Sequence, residues 1–388
     1  MLCSHSIRFQ LSKNNAMNTS NHLPFSRHFY YALTVTAALN LTSCSTTLER
    51  EITTLPTMEP VAPPIQEELP RPIIKPTLPE TIAPTTPLSF NQNVKNFVRQ
   101  MVTKHHFNEL ELTQLLQSAV IKEGILKSIS SPSEGLPWHK YRKIFLTETR
   151  IEGGVKFWRD NAAALDSVSQ QTGVAPEIIV AIIGVETGYG KNMGNHRVLD
   201  ALATLAFAYP PRSSFFTGEL ESFLLLCREE NMNPREPMGS YAGAMGYPQF
   251  MPSSFRALAK DFEHDGHRDI WHNPRDAIAS VANYFAKNDW QNGQGIAVRA
   301  TAIGNQYKSA LNKDLKPTLS LAQLSRLNVS TTENLPANLN VKLVALQQLD
   351  GDELWLGLHN FYVITRYNHS PLYAMAAYQL SQEIKQRR

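Results

Sequence analysis

The segment that most limits how this chain can fold is Ile178-Ile179-Val180-Ala181-Ile182-Ile183-Gly184-Val185, in which seven of eight residues are Ile, Val or Ala. Pro176 suits the first turn of a helix, and Gly188 and Gly190 suit its end. A helix that is apolar on nearly every face has no side to offer water, so other elements must enclose it. Glu186 stands at its end and is the only acidic residue from Ile178 to Asn195. On the residues alone two readings of Glu186 are open. It is either a helix-terminal carboxylate reaching water, or a carboxyl group stripped of hydration, raised in pKa and able to act as a general acid.

Elsewhere the dominant period is also helical. Val94, Phe97, Val98 and Met101 follow the i, i+3, i+4, i+7 rule, as do Leu112, Leu115, Leu116 and Ala119. Leu199 to Phe207, Phe215 to Leu226, Asp276 to Phe285 and Tyr373 to Ile384 read as further helices. Between Gly293 and Leu358 the pattern changes: Val341, Leu343 and Ala345 alternate, Asp350-Gly351 is a hairpin-type turn, and Leu354-Trp355-Leu356 follows. A small β element set into a helical protein is expected. At 388 residues and 42% hydrophobic content the chain can build a sizeable core, and a net charge of +3 argues against electrostatic nucleic-acid binding. Cys3, Cys44 and Cys227 show no CxxC spacing, so neither a disulfide scaffold nor a zinc finger is expected. Cys227, among Phe223-Leu224-Leu225-Leu226, reads as a buried free thiol.

The N-terminal part has a different character. After Arg27 and His28 the largely apolar run Phe29 to Leu41 is short for a membrane span but suits the core of a signal peptide. It ends in Leu41-Thr42-Ser43-Cys44, which resembles the lipobox of bacterial lipoproteins; the alternative is an unmodified cysteine after an apolar stretch. The resemblance implies that residues 1–43 are a lipoprotein signal peptide and that Cys44 is lipidated. Ser45 in second place resembles outer-membrane-destined lipoproteins. Ten of the 24 prolines fall between Pro56 and Pro87. Residues 44–89 are therefore expected to be an extended tether behind the lipidated cysteine, because proline excludes helix and central strand.

Gly184-Val185-Glu186-Thr187-Gly188-Tyr189-Gly190 resembles the catalytic motif of lytic murein transglycosylases, and more specifically their B family. The likeness continues through Leu199-Asp200-Ala201-Leu202-Ala203-Thr204-Leu205, Gly218-Glu219-Leu220-Glu221 and the stretch from Gly239 to Ser254. It ends with Ser280 to Phe285 and Phe361 to Ser370, all in the family's order. The resemblance implies a mainly α (α+β) fold with a lysozyme-like helical catalytic core over about 138–290 and 359–388. An N-terminal helical domain at about 90–175 and a small β subdomain at about 291–358 complete the implied catalytic region of residues 90–388. It also implies that the enzyme acts on the glycan strands of peptidoglycan. Glu186 would protonate the oxygen between MurNAc and GlcNAc, then serve as base toward the MurNAc 6-hydroxyl, closing a 1,6-anhydro ring without water or a catalytic cofactor. Ser240, Gln249, Tyr284, Tyr367 and Asn368 match cleft positions, with Tyr141, Arg212 and Tyr373 as further matches. Tyrosines suit sugar faces and hydroxyls, and amides suit N-acetyl groups. Many relatives carry two arginines where this chain has Pro211-Arg212.

The run Asp261 to Asp269 places oxygen ligands at positions 1, 3, 5 and 9 of an EF-hand loop, with Gly266 at position 6 and the His267 carbonyl at 7. Position 12 is His272, which is no carboxylate; the family resemblance points instead to Asp276. Asp261, Glu263, Asp265, His267 and Asp276 are thus candidate ligands of a structural Ca²⁺, the alternative being a solvated acidic turn. The leading reading is a lytic transglycosylase at the periplasmic face of the outer membrane, held there by its lipid anchor. A hydrolytic muramidase on the same fold and a non-catalytic peptidoglycan-binding lipoprotein are the alternatives.

Overall fold

The computed structural model describes residues 85–130 and 135–388. The expected signal segment, Cys44 and the proline-rich stretch up to residue 84 lie outside the described residues. The described residues include fourteen α-helices, one five-stranded sheet and two two-stranded pairs, the mainly α architecture expected above.

The apolar segment forms the helix Pro176–Thr187, whose residues from Glu177 to Val185 are all buried. Each Ile or Val enclosed in this way contributes about 1.5–3 kcal/mol relative to exposure. The helices Pro371–Arg387, Glu148–Asp160, Pro274–Lys287 and Ala162–Thr172 all pack against it. Its exit is a run of three left-handed residues, Gly188 (φ 57°), Tyr189 (φ 64°) and Gly190 (φ 85°). Two are glycine, which adopts this region freely; Tyr189 is there against its intrinsic preference. The compensation is the fold-back of its ring beneath the helix. The Tyr189 hydroxyl donates to the carbonyl of Arg150 at 2.8 Å. The ring occupies the space left by the missing side chains of Gly153, Gly154 and Gly184. Burial pushes the Tyr189 hydroxyl pKa well above its ordinary value.

The motif Leu199 to Leu205 lies on the helix Val198–Ala208, and its two buried polar residues have structural partners. Asp200 and Thr204, one turn apart, accept the backbone N–H groups of Val120 (3.1 Å) and Lys122 (3.0 Å). Asp200 is further held by Arg197 at 2.8 Å. The strand Val120–Lys122 pairs antiparallel with Thr85–Pro87. The extended tether expected through residue 89 therefore gives way to a β-strand at Thr85. A proline is tolerated there because this is an edge strand, where a missing N–H costs no ladder bond.

The five-stranded antiparallel sheet runs in the order Leu319–Ser320, Asn340–Gln348, Gly351–Gly357, Ala297–Ala302, Val329–Ser330. Val341, Leu343, Leu354 and Leu356 enter a small core of their own, whereas Val344, Leu346 and Trp355 enter the main helical core. The period-two alternation thus serves two buried faces. Among the described residues no single helix is long and apolar enough to cross a membrane.

Two glycines give a matched test of the packing beneath Glu186. A Cβ at Gly154 would lie 2.6 Å from the Tyr189 hydroxyl and against Ile384, whereas one at Gly218, inside the helix Ser213–Glu229, would meet nothing within 4 Å. Overpacking costs about 1–3 kcal/mol and outweighs the gain in helix propensity of at most about 1 kcal/mol. Thermal unfolding should show Gly154→Ala lowering Tm and Gly218→Ala raising it; a higher Tm for Gly154→Ala would disprove the close packing.

Candidate active site

Glu186 projects from the last turn of the buried helix and is half-buried. Its Oε1 accepts a hydrogen bond from the Tyr373 hydroxyl at 2.6 Å. Of the two readings open for this residue, the carboxyl is neither sunk in the core nor left to water. It is held by a phenol from a segment 187 residues further along the chain.

Tyr373 is the third residue of the helix Pro371–Arg387, and Ser370 caps that helix by accepting from the Tyr373 N–H at 3.3 Å. Its ring stacks on Tyr367 with the planes 5° apart and the centroids 6.5 Å apart. Tyr367, fully buried, donates its hydroxyl to the carbonyl of Pro248 at 2.5 Å and lies 4.7 Å from Tyr284. The Tyr284 hydroxyl in turn donates to the carbonyl of Arg366 at 2.6 Å. These two tyrosines support the site from within; neither offers an exposed ring face to a sugar.

Pro248 leads directly into Gln249, which is itself left-handed (φ 50°) and buried. Its side-chain amide donates to the carbonyls of Gly246 (2.9 Å) and Met193 (3.1 Å), tying the 239–250 loop to the turn that follows Glu186. Ser240 begins this loop, where its hydroxyl oxygen accepts from the Ala244 N–H at 3.0 Å and its own N–H bonds the Ala244 carbonyl at 2.8 Å. Thr187 clamps the turn from the other side. Its hydroxyl oxygen accepts from the Gly190 N–H at 3.0 Å and lies 3.2 Å from the carbonyl of Tyr247. Asn368 is buried next to Tyr367.

Glu186, Tyr373, Tyr367, Tyr284 and Gln249 are thus joined through contacts. Arg212 sits over the rings of Phe215 (4.5 Å) and Phe216 (5.1 Å), and Tyr141 is buried against Trp138 and Phe145. Sequence reasoning did not single out Thr187 or Tyr189. The signal for Tyr189 was present in the small residues at 153, 154 and 184, but nothing in the sequence shows that these three face one ring. Cys227 is a buried free thiol as expected, with burial pushing its pKa up to about 12.

The loop from Asp261 to Asp276 uses its carboxylates on its own backbone. Asp261 accepts from the N–H groups of Asp265 (3.2 Å) and Gly266 (2.8 Å), and Asp265 accepts from His267 N–H at 2.9 Å. Asp276 is buried and accepts from Phe262 and Asp269 N–H, both at 2.8 Å. Its pKa is pushed up to about 6 by burial, with the negative charges of Glu263 and Asp261 adding to the effect. Glu263 is engaged by Asn273 at 2.8 Å and Arg275 at 3.1 Å. The donor chemistry, hard oxygens of mutually repelling carboxylates, fits a divalent cation. Among the described residues, however, no three such side chains are arranged as a ready ligand set.

Residues 89–382 match the family described as the transglycosylase SLT domain. Over 304 residues the chain is 44% identical to membrane-bound lytic murein transglycosylase B of Escherichia coli K12, covering 76% of this chain and 83% of that protein. The crystal structure of soluble lytic transglycosylase SltB1 from Pseudomonas aeruginosa is similar at 47% identity and TM-score 0.73, covering 76% of this chain and 99% of that one. The E. coli lytic transglycosylase Slt35 in complex with calcium is similar at 43% identity and TM-score 0.73, covering 78% and 95%.

Proposed function

This chain belongs to the lytic murein transglycosylase B family, and on that basis we propose that Glu186 is the single acid and base of a peptidoglycan lytic transglycosylase. The observation that carries the assignment is the Glu186 carboxyl at the end of a buried helix with the Tyr373 hydroxyl 2.6 Å from Oε1. A reacting carboxyl must be held in one place while its proton state changes. Tyr373 supplies that hold from one side and the left-handed turn from the other. Protonated Glu186 gives its proton to the glycosidic oxygen, and the GlcNAc alcohol leaves. The resulting carboxylate then takes the proton from the MurNAc 6-hydroxyl as that oxygen bonds to the anomeric carbon. The proton returns to Glu186, no water is consumed, and a 1,6-anhydro end remains. A hydrolase of this kind ordinarily uses two carboxyl groups; the intramolecular hydroxyl removes the need to activate water.

Ser240 and Gln249 lie on the loop tied to the Glu186 turn, so their role is to shape the cleft through the backbone they hold. Arg212 would meet a stem-peptide carboxylate, because a guanidinium binds both oxygens at once. Tyr284, Tyr367 and Asn368 line the site as its inner support. The relative named membrane-bound supports membrane attachment. Lipidation of Cys44 would place the enzyme at the periplasmic face of the outer membrane, since two or more acyl chains anchor stably. The Slt35 complex supports a structural Ca²⁺ held by Asp261, Glu263, Asp265, the His267 carbonyl and Asp276, relieving repulsion among the carboxylates.

Mass spectrometry of muropeptides released from purified sacculi should show anhydro products, one water lighter than reducing-end products. Reducing ends would make the protein a hydrolytic muramidase, and no release with binding intact a non-catalytic module. Glu186→Gln should lower turnover by about 10³-fold or more, the scale on which loss of proton transfer acts; unchanged lysis would remove Glu186 from the chemistry. Tyr373→Phe forfeits a hydrogen bond to a charged group worth about 1.5–3 kcal/mol, so turnover should fall about tenfold to a hundredfold with Tm little changed. Millimolar Ca²⁺ should stabilise the fold by up to about 2.7 kcal/mol when calcium is a hundredfold above its Kd, seen as a higher Tm that a chelator reverses. A Tm indifferent to both would dismiss the metal.

A further inference from the structure

A cavity of about 370 Å³ opens beside the 230–238 segment and the 267–272 stretch, distinct from the groups around Glu186. Its size lies within the range of small-ligand sites. Met232, Pro237, Met238 and Trp271 supply its apolar lining. Trp271 is fixed there because its indole N–H donates to the carbonyl of Met238 at 2.9 Å, while the Met238 side chain stays 41% exposed.

The polar lining narrows the choice of ligand. Arg268 is the cavity's one guanidinium, and its charge is already taken by Glu230, while its face lies 4.9 Å from the Phe255 ring centroid. Two further carboxylates line it: Glu236, whose Oε1 accepts from the Asn233 amide at 2.9 Å, and Asp269, whose Oδ1 accepts from the Trp271 and His272 N–H groups at 2.9 Å and whose Oδ2 lies 3.1 Å from the His272 ring. The His267 ring makes no hydrogen bond among the described residues. The cavity therefore presents an apolar base, two acceptors of negative charge and imidazoles that donate or accept. An anion is repelled from such a site, and a purely apolar ligand leaves its polar groups unpaired. An uncharged sugar, with an apolar ring face, an acetamido methyl and a rim of hydroxyls, satisfies both demands.

We propose that this cavity, formed by Met232, Met238 and Trp271 with Glu236 and Asp269 at its polar side, is a second glycan-binding site that takes an uncharged GlcNAc residue of the peptidoglycan strand. The proposal rests on the peptidoglycan reading above. MurNAc brings either a stem peptide with its own carboxylates or, where the stem has been removed, a free lactyl carboxylate; both bring the negative charge the cavity repels, so the site distinguishes the two sugars of the strand. Its wall is continuous with the catalytic loop. Met238 is two residues before Ser240, and Ile270, next to Trp271, accepts the Tyr247 N–H at 2.9 Å. A strand held here keeps its polymer near the enzyme between cleavages.

The test is ¹⁵N NMR of the full chain carrying Glu186→Gln, titrated with chitotriose, an uncharged GlcNAc trimer. The Trp271 indole signal is identified by its loss in Trp271→Phe. It should shift saturably, and free N-acetylmuramic acid at the same concentrations should leave it in place. Adding Glu236→Arg and Met238→Arg, both at exposed positions, should weaken that shift at least about tenfold, the loss expected for an apolar contact plus a hydrogen bond to a charged group. Shifts of Gln249, read in the same spectra, should be unaffected by these two changes. A Trp271 signal that stays still while Gln249 responds would overturn the second site alone, as would one that moves equally in the double variant. An equal response to N-acetylmuramic acid would overturn the selectivity. If neither Trp271 nor Gln249 responds, the second site falls together with the substrate reading on which it rests.

Discussion

The arrangement depends on the way one buried helix ends. Pro176–Thr187 carries its apolar residues into the middle of the helical core and delivers Glu186 to the edge of it. Three consecutive left-handed residues would be costly if left to themselves, roughly 1–2 kcal/mol for the one that is not glycine. Packing offsets that cost: the Tyr189 ring fills a recess left by three glycines, and its hydroxyl is satisfied on the Arg150 carbonyl. The turn cannot relax without emptying that recess, so the carboxyl two residues before Gly188 is held with it.

The second half of the site comes from the other end of the chain. Tyr373, Tyr367 and Tyr284 form a stack of rings in which the two inner hydroxyls are used on backbone carbonyls and the outer one on Glu186. Dense packing gives the inner rings no alternative rotamer. The stack therefore transmits position from the helix Pro274–Lys287 to the carboxyl. Through Pro248 it also fixes the loop that bears Ser240 and Gln249. A site built on rigid elements in this way keeps its side chains in place without binding energy being spent on ordering them.

The Asp261–Asp276 loop follows a different logic. Asp261 and Asp276 bond backbone N–H groups within the loop, which helps set its shape, yet Asp276, Glu263 and Asp261 still repel one another. Such a loop gathers several hard oxygen donors close together, the donor chemistry that suits a hard cation. The adjacent cavity is lined in part by His267, Arg268 and Asp269 of the same stretch.

Much of this was legible in the chain itself. The buried helix, its glycine exit, the helices at 198–208, 213–229 and 274–287 and the β-hairpin follow from periodicity, because burial of one face imposes a repeat that the residues must carry. The motif around Glu186 identified the family and the reaction. Periodicity did not reveal that Asp200 and Thr204 serve an edge strand 80 residues earlier, that a proline-bearing segment pairs as that strand, or that Tyr284 and Tyr367 face inward. Such roles depend on partners distant in sequence, and a side chain's type says only what it can bond, not what lies opposite. By itself, then, the sequence determined the buried helix and several of its helical neighbours, which carboxyl is set apart and which family the protein joins. Tertiary structure alone decided that Tyr373 reaches Glu186 and that Tyr189 fills the glycine recess, because contacts across 187 and 39 residues come into being only when the core closes.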